Sequence, residues 1–257
     1  MRLLGRADPQ RPAQPGQSIG HYKTTAGTFG AVVKDKLTGE PLILSNNHVL
    51  ANSTDGRDGR AQIGDPVYQP GPYDGGTPEH TIAYLERFIP LRKEYARPEC
   101  RVASATERTI NYLIKKIRPR YTVTLKKATV TPNLVDAALA RPLSSDLIKP
   151  DILGIGPVLG VREPELRMTV QKSGRSSGVN RSQIIVLEAT LKVGLGSGES
   201  AWFADQFLTA PMAYPGDSGS LVLTEKNEAV GLLFAGSEKI TVCNRITNVL
   251  NLLDITF

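Results

Sequence analysis

The chain has 257 residues, a formal net charge of +6 and 40% hydrophobic residues. That apolar share is ordinary for a globular chain and excludes a disordered one, and the length suits one large or two medium domains, a size at which all-β folds often form a single unit. No run approaches the roughly 20 apolar residues of a membrane span, and the basic residues are scattered apart from Lys115, Lys116, Arg118 and Arg120, so neither a membrane nor a nucleic acid is an expected partner.

Residues 1–18 read as an arm containing Pro9, Pro12 and Pro15. The arm lacks the apolar core of roughly 7–15 residues that a secretory signal needs. Strands are predicted at 29–33 and 42–45, joined by a hairpin with Gly39 in its turn. Residues 52–78 are dense in Gly, Asp and Pro and read as loop, with Asp55, Asp58, Asp65 and Asp74 expected to be solvated. A strand follows at 80–89.

Residues 92–120 read as a helical insertion. Ser104 and Glu107 have the spacing of a capping box, and Ile110, Leu113, Ile114 and Ile117 share one helix face. Pro119 stops the helix, whose basic end suits the helix dipole. The apolar face is expected to pack on the neighbouring sheet; a lid or an exosite is the sharper alternative. Strands at 121–130 and 134–140 complete a first unit, 19–150. The second unit, 151–257, has strands at 168–173, 183–191, 203–210, 219–224, 229–235 and 240–243, then a short helix at 248–254. The glycine-rich stretch 194–199 reads as a hairpin loop, because no helix follows it as a phosphate-binding loop would require.

The run Pro215-Gly216-Asp217-Ser218-Gly219-Ser220 holds a serine on a tight turn ahead of an apolar strand. Glycine at 216 permits the unusual φ/ψ that such a turn needs, and the N–H groups of Gly216 and Ser218 can then face an oxyanion. Of three histidines, only His48 ends an apolar strand, in Ser45-Asn46-Asn47-His48-Val49. Asp136 lies inside the apolar run Leu134-Val135-Asp136-Ala137-Ala138. A buried carboxylate there needs a partner, and His48 is the candidate. Asp205, after Trp202-Phe203-Ala204, is the runner-up.

The order His, Asp, Ser, within Ser-Asn-Asn-His-Val, Val-Asp-Ala-Ala-Leu and Gly-Asp-Ser-Gly-Ser, resembles the chymotrypsin-fold (trypsin-like) serine peptidases. The first two motifs resemble the bacterial HtrA-type branch. Val170-Gln171-Lys172-Ser173-Gly174-Arg175 resembles the strand that opens the second barrel of streptogrisin-like enzymes. The resemblance implies an all-β fold of two antiparallel six-stranded barrels with the active site between them. It implies Ser218 as nucleophile, His48 as base and acid, and Asp136 as the group that orients the imidazole. Gly216 and Ser218 would form the oxyanion hole, and Arg175 would pair with Asp217 in place of a cleaved N-terminus. The pocket for the residue before the scissile bond would be walled by Met212, Tyr214, Phe234, Ala235 and Gly236. Met212 stands where preference for Lys or Arg wants an aspartate, so a small or medium apolar residue is expected. Phe234 stands where the family has a serine bonded to the catalytic aspartate. The His48–Asp136 spacing is longer than the family's, and the 92–120 insertion accounts for it.

The expected activity is an intracellular serine endopeptidase acting on a protein or peptide substrate, with an activating partner protein as a further expectation. A catalytically latent scaffold acting through a protein partner is the alternative. No His/Cys cluster has metal-ligand spacing, so no metal or cofactor is expected. Two cysteines, Cys100 and Cys243, allow at most one disulfide, which fits a reducing, cytoplasmic setting.

Overall fold

The computed structural model describes residues 5–96, 100–128, 131–196 and 198–257. Its strands are β1 (Ser18–His21), β2 (Gly27–Thr28), β3 (Ala31–Asp35), β4 (Pro41–Ser45), β5 (Pro66–Tyr68), β6 (Thr81–Phe88), β7 (Tyr95–Ala96), β8 (Lys127–Ala128), β9 (Ala138–Pro142), β10 (Gly160–Val161), β11 (Thr169–Gly174), β12 (Gly178–Gly196), β13 (Glu199–Thr209), β14 (Leu221–Thr224), β15 (Glu228–Gly236), β16 (Thr241–Arg245) and β17 (Ile255–Thr256). The helices are α1 (Asn47–Leu50), α2 (Arg101–Ile117) and α3 (Ile246–Leu253).

The first sheet runs β17-β3-β4-β9-β6-β5-β1-β2. Only Phe29 and Gly30 separate β2 from β3, and their N–H groups reach opposite edges. Phe29 donates to the Gln17 carbonyl at 2.9 Å and Gly30 to the Leu44 carbonyl at 2.9 Å. With β2 and β3 as one bent strand, six strands close a barrel and β17 is an addition on β3. The second sheet runs β10-β15-β14-β11-β12-β13-β16, and β15 also pairs with β16. That pairing closes a six-stranded ring, with β10 added in parallel along β15.

Residue alternation decides which core each strand feeds. On β4, Ile43 points into the first barrel beside Ile19, Phe29, Val67, Ile82 and Leu85. Leu42 and Leu44 point the other way, into a core shared with Leu221, Leu223 and Leu232 of the second barrel and Val249 and Leu253 of α3. Val222 faces the second barrel's interior with Val170, Phe207 and Leu233. β4 and β14 are therefore apolar on both faces, as strands covered on both sides must be. The shared core holds the two barrels against each other.

β12 and β13 continue as a long hairpin as far as the Gly196–Glu199 pair. Its inner face, Ala201 and Phe203, packs on Leu91 of the first unit and on Phe234. Ion pairs reinforce the contact: Glu199 meets Arg60 at 2.7 Å and Lys93 at 3.3 Å, and Lys192 meets Glu94 at 2.7 Å.

Several expectations are corrected. The arm, from residue 5 on, is built into the fold: the Ala13 N–H donates to the Leu147 carbonyl and the Ala13 carbonyl accepts the Lys149 N–H, both at 2.8 Å, and Arg6 Nη1 donates to Ser173 Oγ at 2.7 Å. Residues 1–4 of the expected arm lie outside the described residues. α2 begins at Arg101 with Cys100 at its N-cap. Ser104 is therefore inside the helix and the capping box does not form; the Glu107 carboxylate instead accepts the Leu125 N–H at 2.9 Å. No described residue of α2 is buried, so the apolar face does not pack on the barrel. Of the strand expected at 121–130, only β8 forms, and 129–130 lie outside the described residues, as do 97–99 of the insertion and Ser197 of the hairpin loop. β1 and β5 were not expected, being short and set among Gly and Pro.

Candidate active site

β4 ends at Ser45, and two buried asparagines set the turn that follows. Asn46 Nδ2 donates to the Asp136 carbonyl at 2.7 Å, and Asn47 Nδ2 donates to the Ile89 carbonyl at 2.8 Å. His48 therefore sits on a fixed single-turn helix at the barrel rim. Asp136 lies just before β9, not within a strand. Side-chain amides replace the missing ladder there. Its N–H donates to Asn244 Oδ1 at 3.1 Å, and its carbonyl accepts from Asn244 Nδ2 at 3.2 Å. Asn244 belongs to the second barrel, so both halves of the molecule position this aspartate.

The Asp136 carboxylate is fully buried and accepts from His48 Nδ1 at 2.6 Å and from the His48 N–H at 3.2 Å. A carboxylate only accepts, so Nδ1 carries a proton, and in the neutral imidazole Nε2 then keeps its lone pair. The His48 side chain is 27% exposed. Asp205, the runner-up, is engaged elsewhere, with Arg245 Nε at 2.8 Å. Asp58, Asp65 and Asp74, expected to be solvated, all have partners: Lys93 at 2.9 Å, the buried His21 at 3.0 Å, and Arg175.

The serine turn is stitched to the first barrel. Thr28 N–H donates to the Ser218 carbonyl at 2.7 Å, and Thr28 Oγ1 donates to the Gly216 carbonyl at 2.9 Å. Gly216 has φ +99°, and a Cβ there would stand 2.6 Å from Arg175 Nη1. The left-handed backbone conformation demands glycine, and the neighbouring Arg175 side chain would have to move for any Cβ. Among the described residues, neither the Gly216 N–H nor the Ser218 N–H meets an acceptor. Both N–H groups are thus unengaged next to the Ser218 hydroxyl, as the expected oxyanion hole requires. Ser218 Oγ donates weakly, at 3.4 Å, to the Phe234 carbonyl.

Asp217 does not pair with Arg175. The Arg175 guanidinium is held by Asp74, through Nε at 2.7 Å, and lies over the Tyr73 ring. The cation at Asp217 is Lys172, whose Nζ is 2.8 Å from Oδ2 with both side chains fully buried. Asp217 also accepts the N–H groups of Ser176 at 2.9 Å, Ser177 at 3.1 Å and Tyr214 at 3.0 Å. Burial works to raise the Asp217 pKa; the Lys172 ammonium and these hydrogen bonds outweigh it and hold the carboxyl below its usual value. Burial draws the Lys172 ammonium down despite its partner. Lys172 was legible in principle. A lysine flanked by Val170 and the Ser-Gly pair of a core strand needs a buried anion, by the same argument that singled out Asp136.

His48, Asp136 and Ser218 border one cavity of about 780 Å³. Lys23, Thr24 and Thr25 form one side, and Leu191, Val193 and Leu195 of the hairpin form the other. This second wall was not legible in the residues, because the hairpin's reach depends on strand length beyond the barrel. A second cavity of about 870 Å³ also opens at Ser218, lined by Met212, Tyr214, Ala235 and Gly236 together with Asn180 and Arg181. Phe234 is corrected: it does not line that pocket but borders the first cavity, and its ring is buried against Phe203 with ring centroids 4.6 Å apart. Among the described residues no cluster of His, Cys, Asp and Glu could hold a metal ion.

Two closed six-stranded barrels packed on a shared core make up the chymotrypsin fold. Solved structures with this architecture include Nocardiopsis protease (NAPase), at TM-score 0.59 and 16% identity over 95% of this chain and 98% of that one. Thermobifida fusca protease A aligns at TM-score 0.58 and 14% identity, covering 95% and 98%. Cellulomonas bogoriensis chymotrypsin aligns at 0.57 and 13%, covering 95% and 97%. At these identities the likeness speaks for the fold. No protein-family model matches the chain, and no curated protein matches it.

Proposed function

We propose that the chain is a serine endopeptidase that cleaves peptide bonds of a protein substrate through an acyl-enzyme. The observation that carries this reading is the buried Asp136 carboxylate, 2.6 Å from His48 Nδ1, in the cavity that also contains Ser218. In the reaction, His48 Nε2 takes the Ser218 hydroxyl proton as Oγ attacks the scissile carbonyl carbon. The oxyanion of the tetrahedral intermediate takes the Gly216 and Ser218 N–H groups. His48 then gives the proton to the departing amine, leaving Ser218 acylated, and water repeats the sequence to release the acid. The fold shared with the bacterial proteases supports the same reading.

The cavity containing Met212 takes the side chain before the scissile bond. Met212 is buried and apolar, which supports a small or medium apolar residue there. The two free thiols, Cys100 and Cys243, support a reducing, intracellular setting. The test is intact mass after incubation with a fluorophosphonate. One adduct on the wild type and none on Ser218→Ala is expected. No adduct on either protein overturns the reading and leaves a catalytically latent scaffold.

A further inference from the structure

The excursion between β7 and β8 concentrates the charge of the molecule. Residues 100–128 contain eight lysines and arginines and one acid, Glu107, a net of +7. The whole chain carries +6, so the remainder is close to neutral. The acid is turned inward, because the Glu107 carboxylate accepts the Leu125 N–H. Asn111 holds the same returning segment, donating to the Val123 carbonyl at 2.8 Å and accepting its N–H at 2.7 Å. That segment covers one strip of α2 and leaves the rest open.

The open surface is amphipathic. At about 100° per residue, Arg101, Arg108, Lys115 and Lys116 fall within one arc of about 100°, with Tyr112 among them, and Val102, Leu113 and Ile117 occupy the adjoining arc of about 60°. Val102 is 72% exposed, Leu113 54% and Ile117 79%. No helix of the described chain is long and apolar enough to cross a membrane, but lying in a bilayer surface is a different physical case. It needs an aliphatic stripe for the acyl boundary and cations on the polar face for anionic headgroups. Nucleic acid would match the charge, and Tyr112 and Tyr121, 61% and 66% exposed, offer faces on which bases could stack, but it offers no apolar phase for the aliphatic stripe, which a bilayer does.

We propose that α2 docks on an anionic lipid bilayer, lying in the interface with Val102, Leu113 and Ile117 inserted and the basic face toward the headgroups. The proposal is independent of the reaction at Ser218. The test is co-sedimentation of the full chain with vesicles of phosphatidylcholine alone, or with about one-third phosphatidylglycerol. Binding to the anionic vesicles only, weakened by salt, is expected. Two double variants separate the components: Leu113→Ser with Ile117→Ser, and Lys115→Gln with Lys116→Gln. Each should weaken binding roughly tenfold or more. Unchanged circular dichroism and unchanged fluorophosphonate labelling relative to the wild type establish that the variants fold. Absence of binding to anionic vesicles, equal binding to neutral ones, or full binding by the serine double variant overturns the proposal. So does tighter binding to single-stranded RNA that ignores the two serine substitutions, which would assign the face to nucleic acid.

Discussion

Lys172 Nζ lies 2.8 Å from the Asp217 carboxylate, and neither side chain touches solvent. This pair sits directly behind the serine turn and orients it through the Tyr214 and Ser176 N–H groups. Lys172→Met leaves a buried carboxylate without its cation, which costs about 3–5 kcal/mol. The expected outcome is a lower urea midpoint together with loss of fluorophosphonate labelling. Arg175→Ala, which removes the partner of Asp74, should keep most of the labelling. If Arg175→Ala abolished labelling and Lys172→Met did not, Arg175 would regain the role the sequence suggested.

Gly216→Ala tests the oxyanion turn. The new methyl group would stand 2.6 Å from Arg175 Nη1 on a backbone at φ +99°. Arg175 can swing aside, but a Cβ is strained at this φ, and relieving that strain rotates the peptide and withdraws an N–H from the proposed anion site. Loss of one such donor costs about 10²–10³ in rate. A labelling rate within threefold of the wild type would show that the Gly216 N–H takes no part.

Asp136→Asn changes the tautomer that His48 adopts. An amide nitrogen facing Nδ1 would demand its lone pair and move the proton to Nε2. The expected loss is about 10⁴-fold in turnover or labelling rate. A loss under tenfold would remove Asp136 from the mechanism.

What was legible in the sequence follows from how local each cause is. The apolar run Leu42-Ile43-Leu44 announces a strand, and the glycine-bounded Ser218 announces a tight turn; both are properties of a few adjacent residues. Which cation meets Asp217 is not: a lysine inside a core strand signals a buried anion but does not say which one. Lys172 and Arg175 are three residues apart, and their β11 positions decide the outcome. Lys172 points into the ring, whereas Arg175 stands past the strand end and swings to Asp74, from a loop that reads as solvated. The same limit applies to α2. Its period was evident, but the surface its apolar face would meet is set by where the β7–β8 ribbon carries it.

Removal of residues 1–17 tests whether the arm is part of the fold. Ala13 and Gln17 are fully buried. Arg6 donates to the Gly16 carbonyl at 2.9 Å and to Ser173 Oγ at 2.7 Å, one residue from Lys172. Truncation should expose the Ser173 end of β11, lower the unfolding midpoint and reduce labelling. Arg6→Ala should reproduce part of the effect, since a hydrogen bond to a charged group contributes about 1.5–3 kcal/mol. A truncated chain as stable and as reactive as the full one would show the arm to be an accessory.

Asp35 gives the stability a defined acid limb. Its carboxylate accepts the Thr38 N–H at 3.0 Å, pairs with Arg87 and accepts the Leu37 N–H at 2.9 Å. The Thr38 bond foremost, then Arg87, hold its pKa down to about 2 against the effect of burial. The unfolded chain binds this proton near pH 3.9 or so. The folded value is the lower one, so the stabilisation is complete above about pH 4 and is lost as the pH falls toward 2. Arg87 also donates to the Leu253 carbonyl at the end of α3, so the loss loosens the anchorage of the C-terminal strand. Urea unfolding of the wild type and Asp35→Asn should differ by a constant amount near neutral pH, and the difference should shrink between about pH 4 and 2. A difference that did not change over that range would show that ionisation of Asp35 does not contribute to the stability.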